Sequence, residues 1–193
     1  MSERSDVGGG NERSQRRGDE TVRLLDRLLR RVPVPAGAVG LLDAQEDVLA
    51  VTRLREGHLV ATRLGVWAPG ADGPTRLPWH LISKASWSGT ALTLVVAEET
   101  GTAGTAVLLA DVQRRQYSLE QPGRLPQIVQ QRVTASIRSA HHRGLPGGGA
   151  WFVQRRVCGV DGVVLQVRVD PGTDAEVVAE VAAAVAEQLP GRR

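Results

Sequence analysis

Lysine and cysteine each occur once in this chain, as Lys84 and Cys158, and aromatic residues make up only 3% of it. A single thiol excludes an internal disulfide and any cysteine-based metal cluster. The scarcity of lysine leaves arginine to carry the basic charge, so the pI is about 9.9 although the formal net charge is only +3. That balance is thin support for a nucleic-acid partner. No apolar run approaches the roughly 20 residues that cross a bilayer. The first residues, MSERSDVGGGNERSQRRGDE, lack the apolar core of a signal peptide, so a cytoplasmic location is expected.

Familiar chemical motifs are missing as well. No GxSxG elbow, GK[ST] phosphate loop or HExxH helix occurs. The histidines, His58, His80, His141 and His142, show no metal-ligand spacing. Cys158 lies beside a turn with no histidine near it in sequence, and its plainer reading is a passive side chain. Catalytic residues, metal ligands and cofactors are therefore all expected to be none.

What is present is an ordinary globular composition, 41% hydrophobic and 23% charged, over 193 residues. That length suits one domain with an appendage, or two small ones. Arginine, alanine, glycine and valine are abundant, as in a GC-rich genome. Residues 1–18 hold one valine and little else to bury, and are expected to form a disordered tail. A helix is expected over 19–33, capped by Asp19 and ended by Pro33 and Pro35. Its stripe of Val22, Leu25, Leu28, Leu29 and Val32 either covers a sheet or lies on a membrane. Asp26 interrupts the basic face and no aromatic residue anchors the apolar one, which favours the sheet.

After a Pro/Gly-rich connector, residues 47–118 read as successive short strands with emphatic turns. The last of these, AVLLADVQRRQYSL, is expected to bulge near Asp111. A second helix is expected from about Pro126, with Leu125, Ile128, Val129, Val133, Ile137 and Ala140 as its stripe and His141 and His142 at its C-terminal end. Residues 144–150, GLPGGGA, read as a linker. Beyond them the alternation in WFVQRRVCGVDGVVLQVRV predicts a hairpin turning at Asp161 and Gly162. A closing helix is predicted with Thr173 and Glu176 as a capping box. A ββα unit of this size is too small to bury its own core, and should dock on the rest.

The order of strands and helix, and the run from Leu59-Val60-Ala61-Thr62 through Val66-Trp67, then Leu77-Pro78-Trp79 and Ala85-Ser86-Trp87, with the closing helix after Pro122-Gly123-Arg124-Leu125, resembles bacterial pleckstrin-homology-like domains, actinobacterial in type. The resemblance covers residues 47–143. It implies an α+β fold: a strongly bent antiparallel sheet, or PH-like barrel, capped by a helix. The N-terminal helix and a ββα appendage over 150–190 lie outside it. It further implies a non-catalytic binding scaffold acting through protein contacts. The positions matching the ligand-holding hairpin of such domains are Arg53, Arg55 and His58, with Arg63 and Lys84 nearby, although Glu56 in the same loop disfavours an anionic lipid.

Two alternatives use other residues. Between Asp111 and Arg143 six arginines face only two acids, so Arg114, Arg115, Tyr117, Arg124 and Arg132 could form a nucleic-acid platform. The plainer reading is a strand edge guarded by charge. An enzyme would instead need a deep pocket joining separated polar residues such as His80, Asp111 and Arg132. Peripheral membrane attachment through the N-terminal helix is the remaining option.

Overall fold

The computed structural model of the chain describes residues 32–44 and 46–189. The tail expected over 1–18, and all but the end of the helix expected over 19–33, lie outside the described residues. The strands and helices described here all belong to the unit that begins at Pro33.

Turn chemistry sets the first strands. β1 (Val48–Arg53) and β2 (His58–Thr62) form a hairpin in which Gly57, at φ 81°, takes the left-handed conformation that a side chain resists. β3 (Gly65–Ala68) and β4 (Thr75–Pro78) complete an antiparallel sheet in the order β1-β2-β3-β4. At Pro78 the ladder stops, and a single 3-10 turn, Trp79–Leu81, carries the chain into β5 (Ile82–Trp87). From there β6 (Ala91–Ala103) and β7 (Ala106–Ser118) make a long hairpin. Val112 is left unpaired between Asp111 and Gln113, which is the bulge expected near Asp111.

Helix α1 (Leu125–Ser136) begins with Pro126 in its first turn, where proline forfeits no hydrogen bond. It is followed by β8 (Ile137–Leu145), β9 (Gly148–Arg155), β10 (Val164–Val169) and helix α2 (Ala175–Gln188). The second sheet has the order β5-β6-β7-β10-β9-β8, curled into a half-barrel, and is mixed because β10 runs parallel to β7. The class is α+β, as expected. Among the described residues the strands fall into a separate four-stranded sheet and the curled half-barrel, and the half-barrel takes in the C-terminal strands.

Two cores result. In the first, Leu59, Ala61 and Val66 meet Leu92, Leu94 and Val96 of β6, closed by Leu125, Val129 and Val133 of α1. Each such side chain stabilises the fold by about 1.5–3 kcal/mol. In the second, Ala106, Phe152, Leu165 and Val167 pack on Val178, Ala182 and Ala186 of α2. A smaller cluster holds Ala38 against Val60 and Trp67. The β6–β7 hairpin supplies both main cores, Leu92 and Leu94 to one and Ala103 and Ala106 to the other.

Three expectations need correcting. α1 stops at Ser136, where the Ser136 hydroxyl donates to the Val133 carbonyl and Ile137 turns extended. Ile137, Ala140, His141 and His142 therefore lie on a strand, not on a helix. Residues 144–150 are not a linker but the tight end of the β8–β9 hairpin. A side chain at Gly147, at φ 83°, would collide with the Gly172 carbonyl. The α2 cap is Asp174, whose carboxylate accepts from the Glu176 and Val177 amides. Thr173 instead holds the backbone of Gly149 through its hydroxyl.

Candidate functional site

The small sheet and its flanking turn are fastened by a buried carboxylate. The Glu46 side chain is 0% exposed and accepts from Thr62 Oγ1 at 2.7 Å and Trp67 Nε1 at 2.9 Å. Arg76 donates to it at 2.7 Å and lies 5.7 Å above the Trp67 ring. Burial alone would raise the Glu46 pKa. The hydrogen bonds from Thr62, Trp67, the Asp43 amide and Arg76 outweigh it, and the carboxyl sits below its usual value. Every oxygen of this group is used internally, so it is a structural knot and offers nothing to a ligand.

A different arrangement begins at the next residue, Arg63, just past the end of β2. Arg63, Trp79, His80, Arg132, Ala135, Ser136, Arg156 and Cys158 line a cavity of about 160 Å³. Four elements deliver these groups: the β2–β3 turn, the 3-10 turn, the last turns of α1, and the residues after β9. The junction is held together where the Arg156 amide donates to the Ser136 carbonyl at 2.8 Å. Behind the wall, Arg155 is 2% exposed and donates to the Trp79 carbonyl at 2.8 Å. Burial first, and the charge of Arg168 second, push its pKa down to about 10.

Among the described residues no carboxylate lines this cavity. Arg63 has a partner in Asp47, but at 3.4 Å between two exposed side chains, a pair of little energetic weight. Among the described residues, Arg132 and Arg156 make no ion pair. The C-terminal carbonyls of α1 offset part of the positive field. His80 is partly buried; that burial lowers its pKa, Glu99 works against the shift, and Arg155 adds to it. The space equals roughly five waters' share of liquid volume, far below the ~300–1,000 Å³ of a drug-sized pocket. It fits a head group and not a whole nucleotide.

The thiol of Cys158 is exposed and donates to the Arg63 carbonyl at 3.6 Å. Among the described residues no hydrogen bond joins it to His80, the pairing that a thiolate nucleophile requires. Asp111 is elsewhere: it accepts from Ser83 and faces Arg168 at 3.7 Å. The structure thus brings His80 and Arg132 together and leaves Asp111 apart.

The remaining sequence candidates are dispersed. Arg53, Arg55 and His58 stay at the β1–β2 hairpin, where His58 borders a shallow cleft formed with Pro69, Gly70 and Pro74. Arg63 is at the far end of β2, and Lys84 is exposed on β5. Arg115 and Tyr117 share one face of β7 and Arg114 the other, as their partners Leu94, Leu92 and Val95 require. Tyr117 packs on the first core and Arg124 caps α1, so the five residues make no common platform. Arg156 was not legible as a site residue; its only signal was the doublet Arg155-Arg156 at the end of an alternating strand.

No known family model, curated protein or solved structure matches the chain.

Proposed function

We propose that the protein is a non-catalytic binding module that receives an anionic group of a protein partner, a phosphate or a carboxylate, in the cavity between Arg63, Arg132 and Arg156. The observation that carries this reading is that three arginines and His80 line one head-group-sized space with no carboxylate among the described lining residues. Charge-assisted hydrogen bonds from arginine are geometrically selective for planar and tetrahedral oxyanions. The PH-like reading of residues 47–143 belongs to the same proposal. Supporting it are a four-stranded and a three-stranded meander in succession and a helix whose Leu125, Val129 and Val133 plug the space between them. A ligand at Arg63 and Arg132 would occupy the end of β2 opposite the hairpin carrying Arg53 and Arg55.

The test is calorimetric titration of the full chain with a phosphoserine peptide, its unphosphorylated parent, and a peptide ending in a free or an amidated carboxyl. Binding that needs the anionic form and falls at least about tenfold in Arg63→Ala and Arg132→Ala is expected, a loss of about 1.4 kcal/mol. Equal binding of charged and uncharged peptides, or none of either, would overturn the reading.

A further inference from the structure

β8 ends the larger sheet, and among the described residues no strand pairs with its outer side. It runs for 9 residues, against 6 for the edge strand β5 and 6 and 4 for the edge strands β1 and β4 of the smaller sheet. A strand edge presents a row of backbone donors and acceptors that another strand can complete. Natural edges are kept short, carry a proline, or are guarded by a bulge or by charge. β8 is long and free of proline; its guards are one bulge, between Ile137 and Ser139, and charge of a single sign, which repels a basic strand and not an acidic one.

We propose that the outer edge of β8 accepts an extended acidic segment of a partner protein as an added strand. Charge and shape point there together, with Arg156 the one residue shared with the arginine cavity. β8 carries Arg138, His141, His142 and Arg143 and no acid. Arg156 stands with Arg138 at one end, where the two border a depression that also includes Val157, Val160 and Val163. The nearby acids are Asp161, at that depression, and Asp170, which binds His142 Nε2 at 2.7 Å. Apolar surface flanks both ends. Trp151 is 41% exposed with its ring 5.1 Å from that of His142, and Val160 and Val163 are 38% and 36% exposed. The edge therefore suits a strand that mixes acidic with apolar side chains.

The same charges argue against other occupants. Antiparallel pairing of two copies about the middle of β8 would bring Arg138 of each close to Arg143 of the other and set the histidines against one another. Like charges across a ladder destabilise it. Residues 1–31 of this chain hold six acids and eight arginines, so they bring no complementary charge.

The experiment uses the full chain and a fluorescent peptide as long as β8, rich in glutamate with valine and threonine between. A second peptide of identical sequence has alternate backbone nitrogens methylated, which removes ladder hydrogen bonds and leaves the charge. The first is expected to bind at least about tenfold more tightly than the second, and to slow amide exchange along β8. The double variant Arg138→Glu/Arg143→Glu, with its circular dichroism unchanged, is expected to prefer a lysine-rich peptide. Equal binding of the methylated peptide would reduce the effect to charge alone and overturn the proposal. So would no binding of either peptide, or outward-facing β8 amides, those not bonded to β9, already protected before peptide is added. In that last case sedimentation as a dimer would assign the edge to a second copy, and sedimentation as a monomer to residues 1–31.

Discussion

The buried guanidinium of Arg155, at the end of β9, donates to the main-chain carbonyl of Trp79, which closes the turn between the two sheets. One hydrogen bond thus joins the C-terminal strands to the hinge of the N-terminal ones. The same contact puts a positive charge behind the wall of the arginine cavity.

Replacing that charge sets two effects against each other. A pKa near 10, well below the ordinary guanidinium range, means that burial, with the charge of Arg168, costs about 3 kcal/mol at neutral pH. Arg155→Met removes that cost together with one of two hydrogen bonds to the Trp79 carbonyl, which still accepts from the Ile82 amide; a bond from a charged donor contributes about 1.5–3 kcal/mol. The variant is expected to be as stable as the parent at pH 7, or up to about 1.5 kcal/mol more so, by urea unfolding. The sign with pH comes from proton uptake. Above pH 10 the folded parent sheds a proton that its unfolded chain still keeps, so the parent gains stability there and the variant does not. A clear loss of stability in Arg155→Met at pH 7 would reveal a charge partner for the guanidinium.

Glu46 gives the opposite pH dependence. Its folded pKa lies below the ordinary 4.5. The stability it contributes is complete above that value and is lost as pH falls through the folded pKa. Glu46→Gln weakens the contact with Arg76, which is part-exposed and keeps Asp43, and is expected to lower stability by about 1–3 kcal/mol at pH 7, in the range for hydrogen bonds to a charged group. The gap between parent and variant should narrow below pH 4.5 in urea midpoints. A gap unchanged with pH would mean that the carboxylate's charge is not what holds the knot.

Much of the first core was legible because its signals are local. Pro126 places the start of α1, Gly57 the first hairpin, and the valines and leucines of β6 its buried face. The errors came where tertiary contact overrides local pattern. Ile137 and Ala140 continue the helical spacing of Val129 and Val133, yet they pair with β9. An edge strand exposed on both faces, such as β8, has no alternation to read. Nothing in the sequence near Val167 tells which edge β10 will join, because parallel pairing with β7 is chosen by the second core. The cavity was hidden for a related reason: Arg63 and Arg156 lie far apart in sequence, and only the closure of α1 onto both sheets makes them neighbours.

The His80 position makes the cavity's response to pH testable. Burial holds its pKa below 6.5, so its neutral form is favoured in the unliganded fold, and its contribution to stability erodes as pH falls below 6.5. A bound anion favours the protonated form. Sulfate, which does not titrate in this range, is expected to bind more tightly as pH falls through 6.5, and to raise the unfolding temperature more than chloride at equal ionic strength. In His80→Ala the pH dependence of that rise should vanish. Its persistence would assign the dependence to another group.

The continuous β6–β7 hairpin makes the two cores a single cooperative unit, and this can be separated from independent melting. Val167 is 0% exposed in the second core, and Val167→Ala is expected to cost about 2 kcal/mol. In a Trp151→Phe background the remaining tryptophans, Trp67, Trp79 and Trp87, report only the N-terminal strands. If the hairpin couples the cores, Val167→Ala lowers the urea midpoint seen by those tryptophans as much as the midpoint seen by circular dichroism. Residues shared along one ladder cannot release the second core while keeping the first, because Leu94 and Ala103 stand on the same strand. A fluorescence midpoint that stays put while the dichroism shifts would show that β6 breaks between Ala97 and Gly101, where its register with β7 already slips.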